Sequence, residues 1–184
     1  MIYKFRFILL GFILILGLYL RHHELYTWPR LGATFDEYAW TWLGINLIQN
    51  HIPISWSPLS PYKDKEYVVY QKTNFFIAKP YLEHPPLFGL VAGSYALLNG
   101  VKDMYHVDIQ HIRGLALILG VLSIFILYIF AAGIYDYKIG LLSALIYAIV
   151  PTIVVGSRIV QNENFFIPFF APLIGVIFLN KLDL

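Results

Sequence analysis

The 184-residue chain contains no cysteine, so disulfide bonds and thiolate metal sites are excluded. Charged residues are also scarce, at 13%, and the 13 Lys and Arg residues barely outnumber the 11 Asp and Glu residues, for a net charge of +2. The basic residues are scattered along the chain, and we therefore expect no nucleic-acid partner. The sequence also lacks a Walker phosphate loop, the Gly-x-Ser-x-Gly elbow of many hydrolases and a dinucleotide-binding fingerprint.

Apolar residues, in contrast, are abundant: 59% of the chain is hydrophobic, 17% is aromatic and the mean hydropathy is +0.66. This composition is typical of membrane proteins. The first apolar run, Ile8 to Leu20, follows Lys4 and Arg6, which place the N-terminus in the cytoplasm. Arg21-His22-His23-Glu24 stands where a signal peptide would need small residues for cleavage. Residues 1–20 are therefore predicted to form an uncleaved transmembrane helix.

Three further apolar runs are predicted to cross the membrane. They are Gly114 to Tyr135, Ile139 to Gly156 and Phe165 to Leu179, the last kinked by two internal prolines. We therefore predict an all-α polytopic membrane protein with about four transmembrane helices. It forms a single module over residues 1–184, made of a first helix (1–20), an outer loop (21–112) and three further helices (113–184).

The long outer loop is predicted to contain short helices that lie at the membrane surface. All four tryptophans fall within it, and tryptophan favours the membrane interface. Asp36 to Asn50 has helical periodicity, and its apolar stripe is better explained by contact with the membrane than by a sugar platform. Tyr67 to Tyr70 is predicted to be a short strand. Pro86 to Asn99 is predicted to be a helix of about 21 Å, too short to cross a core of ~30 Å.

An acidic pair, Asp36-Glu37, directly follows Thr34 and Phe35 near the start of this loop. One interpretation is local: Thr34 and Glu37 have the spacing of a capping box at a helix start, and Asp36 lies favourably in the helix dipole. The other interpretation is catalytic, because an acid near a membrane surface costs free energy unless it is used. Both interpretations are compatible, since Glu37 can cap the helix while Asp36 points into a cleft.

The predicted topology places several ionisable residues on the same, outer side of the membrane. A carboxylate there could act as general base toward a hydroxyl, and a cation could stabilise a leaving phosphate. We assign Asp36 and Glu37 as candidate catalytic residues and predict no metal ligand. The candidate substrate-binding residues are His84, Arg113, Arg158 and Glu163. Simpler roles stay open for these four, such as a headgroup anchor, a surface histidine or a solvated helix end.

The order of these motifs resembles the N-terminal part of the GT-C-fold glycosyltransferases. An acidic pair, Asp36-Glu37, follows the first span, and His84-Pro85-Pro86-Leu87 comes next. Arg113 then opens a span, and Ser157-Arg158 precedes the acid Glu163 by five residues. Among these enzymes, the chain resembles the dolichyl-phosphate-mannose protein mannosyltransferases and the bacterial lipid A aminoarabinose transferases, and the resemblance covers nearly the whole chain.

The resemblance implies an inverting transferase that takes a sugar, hexose or pentose, from a polyprenyl-phosphate donor at the outer face of the plasma membrane. It implies that Asp36 is the general base, that His84 lies near the lipid phosphate and that Glu163 is the acid of the second outer loop. The partners it implies are the lipid-linked donor and the bilayer. No certain cofactor follows, although some relatives need a divalent metal ion.

The chain departs from this family in length, because family enzymes carry further spans and often a soluble C-terminal domain. We therefore expect a fragment that is inactive alone, or a second chain that completes the fold. Two alternatives to the enzyme are a membrane assembly subunit whose acids are structural and a fragment of a transporter. A transporter would more naturally place ionisable residues in mid-span and show repeat symmetry.

Overall fold

The computed structural model describes residues 2–30, 34–59, 62 and 65–181. Its contacts divide the chain into two compact units, which we call the helical unit (Met1–Pro29 and Ala116–Leu184) and the loop unit (Arg30–Leu115). The described residues are mostly helical, with α1 (Ile2–His22), α2 (Asp36–Asn50), β1 (Ser55–Trp56), β2 (Lys65–Tyr70), β3 (Thr73–Ala78), α3 (Pro86–Leu98), α4 (Ile109–Ile134), α5 (Tyr137–Ile149), α6 (Pro151–Gly156) and α7 (Glu163–Lys181).

Two of the described helices are long and apolar enough to cross a membrane. The qualifying segments are Phe5–His22 within α1 and Ile109–Ile134, which is α4. They correspond to the first and second predicted spans, and they support a membrane protein. The predicted number of four spans is not reached within the part of the chain that the structure describes, where α3 and α5 are shorter apolar helices.

The third predicted span, Ile139 to Gly156, is not one continuous helix. It is divided into α5 and α6 at Val150, which is extended with φ −62° and ψ 121°. Pro151 causes the break, because its ring disfavours helical geometry in the residue before it, while proline is well suited to start the next helix. With 13 residues, α5 extends for only about 20 Å.

Within the helical unit, α5 begins at a well-formed cap and packs against α1. The Asp136 carboxylate accepts hydrogen bonds from the backbone N–H groups of Lys138 and Ile139, as suits a tight connection between two helices. The buried cluster at the centre of this unit contains large and small side chains from α1, α4 and α5, namely Leu10, Ile124, Tyr128, Ala144 and Ala148. The alanines let neighbouring helices approach closely.

The loop unit is built on a close contact between α2 and α3. A Cβ atom added to Gly44 would lie 1.8 Å from the carbonyl oxygen of Gly89, and one added to Gly93 would lie 2.4 Å from the Gly44 carbonyl carbon. Only glycine therefore permits this crossing. The bounds of α2 confirm the predicted helix from Asp36 to Asn50, and α3 confirms the predicted short helix that begins at Pro86.

A three-stranded antiparallel sheet, in the order β1-β3-β2, packs beside these helices. β2 confirms the strand predicted at residues 67–70, whereas β1 and β3 were not predicted. β2 and β3 are joined at the pair Tyr70–Thr73 by a two-residue turn, in which Gln71 and Lys72 both have positive φ. The all-α class is thereby corrected to a mostly helical protein with a small sheet.

The tryptophans of the loop unit form a core, which corrects their predicted place at the membrane interface. Trp42 is completely buried, and its ring contacts those of Tyr38, Tyr70 and Phe75 at centroid distances of 5.2–5.9 Å. The predicted membrane-facing stripe of α2, which comprises Trp40, Leu43 and Leu47, is also largely internal, with Trp40 and Leu43 buried. Aromatic rings bury large apolar areas, so this cluster provides the core of a unit that has little else to bury.

Candidate functional site

The two acids of the Asp36-Glu37 pair have different environments. Both lie in the first turn of α2, but Asp36 is exposed, whereas Glu37 is only 2% exposed. Consecutive residues of an α-helix point about 100° apart, so one acid faces solvent while the next faces the interior. Asp36 is therefore the acid that remains accessible to a substrate.

Glu37 forms a buried ion pair with Arg113 of α4, within the loop unit. Arg113 Nε donates to Glu37 Oε2 at 3.0 Å and Arg113 Nη2 donates to Oε1 at 2.9 Å. The two side chains are 1% and 3% exposed. This two-pronged geometry matches a planar guanidinium to a planar carboxylate and is the strongest form of the interaction. Each residue neutralises the other, and the pair anchors the first turn of α2.

The capping box predicted from Thr34 and Glu37 does not form. The Thr34 hydroxyl accepts a hydrogen bond from the Asp36 backbone N–H at 3.2 Å, but the N-cap residue is Phe35 and makes no side-chain cap. A capping box needs the acid at its fourth position to reach back to the cap. The Glu37 carboxylate is instead directed toward Arg113, since a buried carboxylate needs a full counter-charge.

His84 lies against α2, although the two are far apart in the sequence. Its exposed imidazole is 4.6 Å from the Trp40 ring centroid, with 30° between the planes. Trp40 is itself held by the ring of Phe88, edge-on at 5.3 Å, and the Tyr81 ring lies 6.1 Å from the imidazole. His84 is therefore an exposed imidazole that lies on buried aromatic rings.

A second carboxylate, that of Glu83, lies in the same region and was not among the predicted site residues. The Ser57 hydroxyl donates a hydrogen bond to it. The pKa of the buried Tyr81 hydroxyl is raised, first by burial and then by the negative charges of Glu83 and Asp36, with Tyr62 also contributing. Tyr81 therefore stays a neutral phenol between two carboxylates. Glu83 directly precedes His84 in the sequence, and this position could have indicated that it belongs to the site.

Arg158, in the helical unit, donates hydrogen bonds to the carbonyl oxygens of Leu20 at 2.5 Å and Trp28 at 3.2 Å. Its neighbour in this unit is Arg21, which is fully buried. Arg21 donates to the carbonyl oxygens of Gly17, Tyr147 and Ala148. The carbonyl groups of Leu20, Tyr147 and Ala148 lie in the last turns of α1 and α5, where helix ends leave carbonyls unpaired. The two guanidiniums thus bind the ends of neighbouring helices.

Glu163 is exposed and is the first residue of α7. An acid in the first turn of a helix is stabilised by the helix dipole. Four of the predicted site residues therefore fall in the loop unit, namely Asp36, Glu37, His84 and Arg113, and two fall in the helical unit, Arg158 and Glu163. The convergence of the two sets stays a prediction.

Metal-ligating side chains do not gather in the described ranges of the chain. No group of three or more His, Asp or Glu residues there has the arrangement of a metal site. A metal ion usually needs at least three protein ligands or a bound substrate to complete its coordination.

Comparison with known proteins identifies the family of the chain. The comparisons with curated proteins and with solved structures returned no match. The sequence profile of the family described as dolichyl-phosphate-mannose-protein mannosyltransferase matches residues 83–180, more than half of the chain. The matched segment contains Glu83, His84, Arg113, Arg158 and Glu163. The chain therefore belongs to the dolichyl-phosphate-mannose-protein mannosyltransferase family.

Proposed function

We propose that the chain takes part in inverting sugar transfer from a polyprenyl-phosphate donor to a hydroxyl acceptor at the outer face of the plasma membrane. Membership in the family indicates a GT-C-type glycosyltransferase and a lipid-linked donor in a membrane. The observation that carries the proposal is the arrangement around the first turn of α2. There Asp36 is exposed, Glu37 is neutralised by Arg113, and His84 packs one helical turn further along.

Asp36 is proposed to be the general base. It is exposed and makes no ion pair with any residue in the described ranges, so its carboxylate is available to accept a proton. In the reaction, the acceptor hydroxyl would lose its proton to Asp36 as its oxygen attacks the anomeric carbon. The bond between that carbon and the phosphate oxygen would break, and attack from the opposite side would invert the configuration.

His84 is proposed to bind the phosphate of the donor. A protonated imidazole carries two N–H donors and a positive charge, both of which stabilise negative charge on a leaving phosphate. Its exposed position on Trp40 leaves the ring edge free to make such contacts. Arg158 and Glu163, in the helical unit, are proposed to bind substrate from the second outer loop, Glu163 by contact with the donor or acceptor.

Glu37 and Arg113 were predicted to be catalytic and substrate-binding, respectively. Their mutual ion pair instead supports a positioning role for both, because the charges are already compensated and both side chains are buried. The pair holds α2 against α4 and thereby fixes the direction of the adjacent Asp36 side chain.

The proposed activity can be tested with membranes of cells that lack the chromosomal gene and express the full chain. The donor is radiolabelled polyprenyl-phosphate mannose, and the acceptor is a threonine-containing peptide. The chain is expected to be inactive alone, so the membranes must also supply any second chain that completes the fold. In these membranes the wild-type chain should support transfer, and Asp36→Asn should lower it by about 100-fold or more, because a general base contributes 10²–10⁴-fold. Glu66→Gln, a change at another exposed acid of the loop unit, is the matched control.

Two results would overturn the proposal. One is transfer at the wild-type rate by an Asp36→Asn chain that is inserted in the membrane at the wild-type level. The other is no transfer by membranes that contain the wild-type chain in the cell's own lipid and protein background. Equal loss in Asp36→Asn and Glu66→Gln would also contradict a specific role for Asp36.

A further inference from the structure

The Trp40 indole has one feature that its place in the core does not require. It is only 5% exposed, yet one of the rings that pack against it, beside the buried Phe88 ring, is the exposed imidazole of His84. A core tryptophan normally packs against apolar groups, because the ring buries a large apolar area. The contact with His84 therefore calls for a role of its own.

The indole is held rigidly beneath the imidazole. The Phe88 ring also packs against it, with 5.3 Å between the ring centroids and 79° between the ring planes. The helix that carries it, α2, crosses α3 at the close contact of Gly44 and Gly93. His84 precedes Pro85, whose backbone is fixed at φ −58° and ψ 140° where α3 begins. Both partners of the stack therefore belong to constrained backbone.

The stack also connects His84 to Asp36. Trp40 follows Asp36 by four residues in α2, so the two side chains share one side of the helix, about 6 Å apart along its axis. An imidazole resting on Trp40 is therefore next to the turn that carries the proposed general base. No covalent or local sequence constraint produces this proximity, since 44 positions separate Trp40 from His84.

The contact suits an imidazole that binds an anion. The face of an indole ring is negative and attracts a cation that lies over it. The Tyr81 ring lies 6.1 Å from the imidazole and adds no charge, since burial raises the pKa of its hydroxyl.

We propose that Trp40 is a positioning residue, which holds the His84 imidazole in a fixed orientation so that its N–H edge meets the phosphate of the donor. The inference rests on the proposed function, and it adds Trp40 as a determinant of donor binding. Trp40 itself does not touch the reacting atoms. Its loss should therefore act through His84 and raise the KM for the donor more than it lowers kcat.

The test compares Trp40→Leu and Trp40→Phe in wild-type and His84→Gln backgrounds, with the same membranes, donor and peptide acceptor. Trp40→Leu should raise the donor KM about tenfold, with a change in kcat of less than about threefold, and Trp40→Phe should restore most of the affinity because it keeps an aromatic face. In the His84→Gln background, Trp40→Leu should have no further effect. Trp28→Leu, at a tryptophan that is 53% exposed in the helical unit, is the control.

An equal, additive effect of Trp40→Leu in both backgrounds would show a merely structural role and overturn the inference. A second measurement needs no activity. The imidazole in contact with the indole should alter the tryptophan fluorescence of the purified chain, so His84→Gln should change the emission of the wild-type chain. The same substitution should leave the emission of Trp40→Phe unchanged. An equal change in both backgrounds would contradict the contact. Variants that lose the contact between Trp40 and His84 but keep Asp36 should still transfer sugar at a measurable rate. Failure of this inference can therefore be distinguished from failure of the proposed function.

Discussion

Removing one partner of the Glu37–Arg113 pair should be among the most damaging substitutions in the loop unit. Arg113→Met keeps much of the length of the side chain but leaves the Glu37 carboxylate, 2% exposed, without its counter-charge. Breaking a buried ion pair in this way costs about 3–5 kcal/mol. For a chain of this size, each kcal/mol corresponds to roughly 2–4 °C of melting temperature, so the expected decrease is about 6–20 °C.

The measurement is thermal denaturation of the purified chain in detergent, followed by circular dichroism, for Arg113→Met, Glu37→Gln and the double variant. Because the double variant leaves no buried charge, it should be more stable than Arg113→Met alone. Replacing both members of a buried pair by neutral groups is often close to neutral. The coupling energy between the two positions should then be on the order of 1–3 kcal/mol.

The result that would refute the reasoning is a double variant whose loss equals the sum of the two single losses. A decrease of less than about 2 °C for Arg113→Met would refute it as well, since this would mean that the Glu37 carboxylate is solvated. Either outcome would restore Arg113 as a candidate for substrate binding, the role that the sequence first suggested for it.

Two further predictions concern the core of the loop unit. Gly93→Ala should prevent the close crossing with Gly44 and lower the melting temperature by several degrees. The control is Gly133→Ala, which has no atom within 4 Å of the added Cβ and should be neutral or slightly stabilising. Equal melting temperatures for the two variants would show that the crossing is loose. Burial raises the pKa of both Tyr38 and Tyr81 above the value of about 10 in the unfolded chain. As the pH rises, the unfolded chain therefore releases these protons before the folded chain does. The free energy of unfolding should then fall above about pH 10, by at most ~1.4 kcal/mol per pH unit for each tyrosine. Tyr38→Phe should reduce this slope in melts at pH 9–11, and an unchanged slope would contradict the assignment.

The helices around the site could be predicted from the sequence because their signals are local. Polar residues and a helical period mark α2, and the double proline marks the start of α3. The division of the third predicted span also had a local signal, since Pro151 lies within it. The prediction of one continuous span did not include the effect of this proline on Val150.

The small sheet and the aromatic core could not be predicted in the same way. β3 (Thr73–Ala78) is the central strand, with β1 and β2 paired on either side of it, and pairing of this kind is set by distant residues. A tryptophan such as Trp42 suits both a membrane interface and a protein core, so its residue type alone does not distinguish the two positions. What decides its burial is the convergence of Tyr70 and Phe75 on the ring, which is a property of the fold.

The chemistry of the acidic pair shows most directly what the sequence leaves undecided. Two adjacent carboxylates at a helix start point about 100° apart, so no single surface can use both in the same way. The acid that faces the interior must find a cation, because an unpaired buried carboxylate is not tolerated. Here the cation is Arg113, 76 positions from Glu37. Which acid remains free for chemistry is thus settled by an arginine in a different helix. An acidic pair at the start of a loop helix should therefore be interpreted together with the arginine that opens the next span.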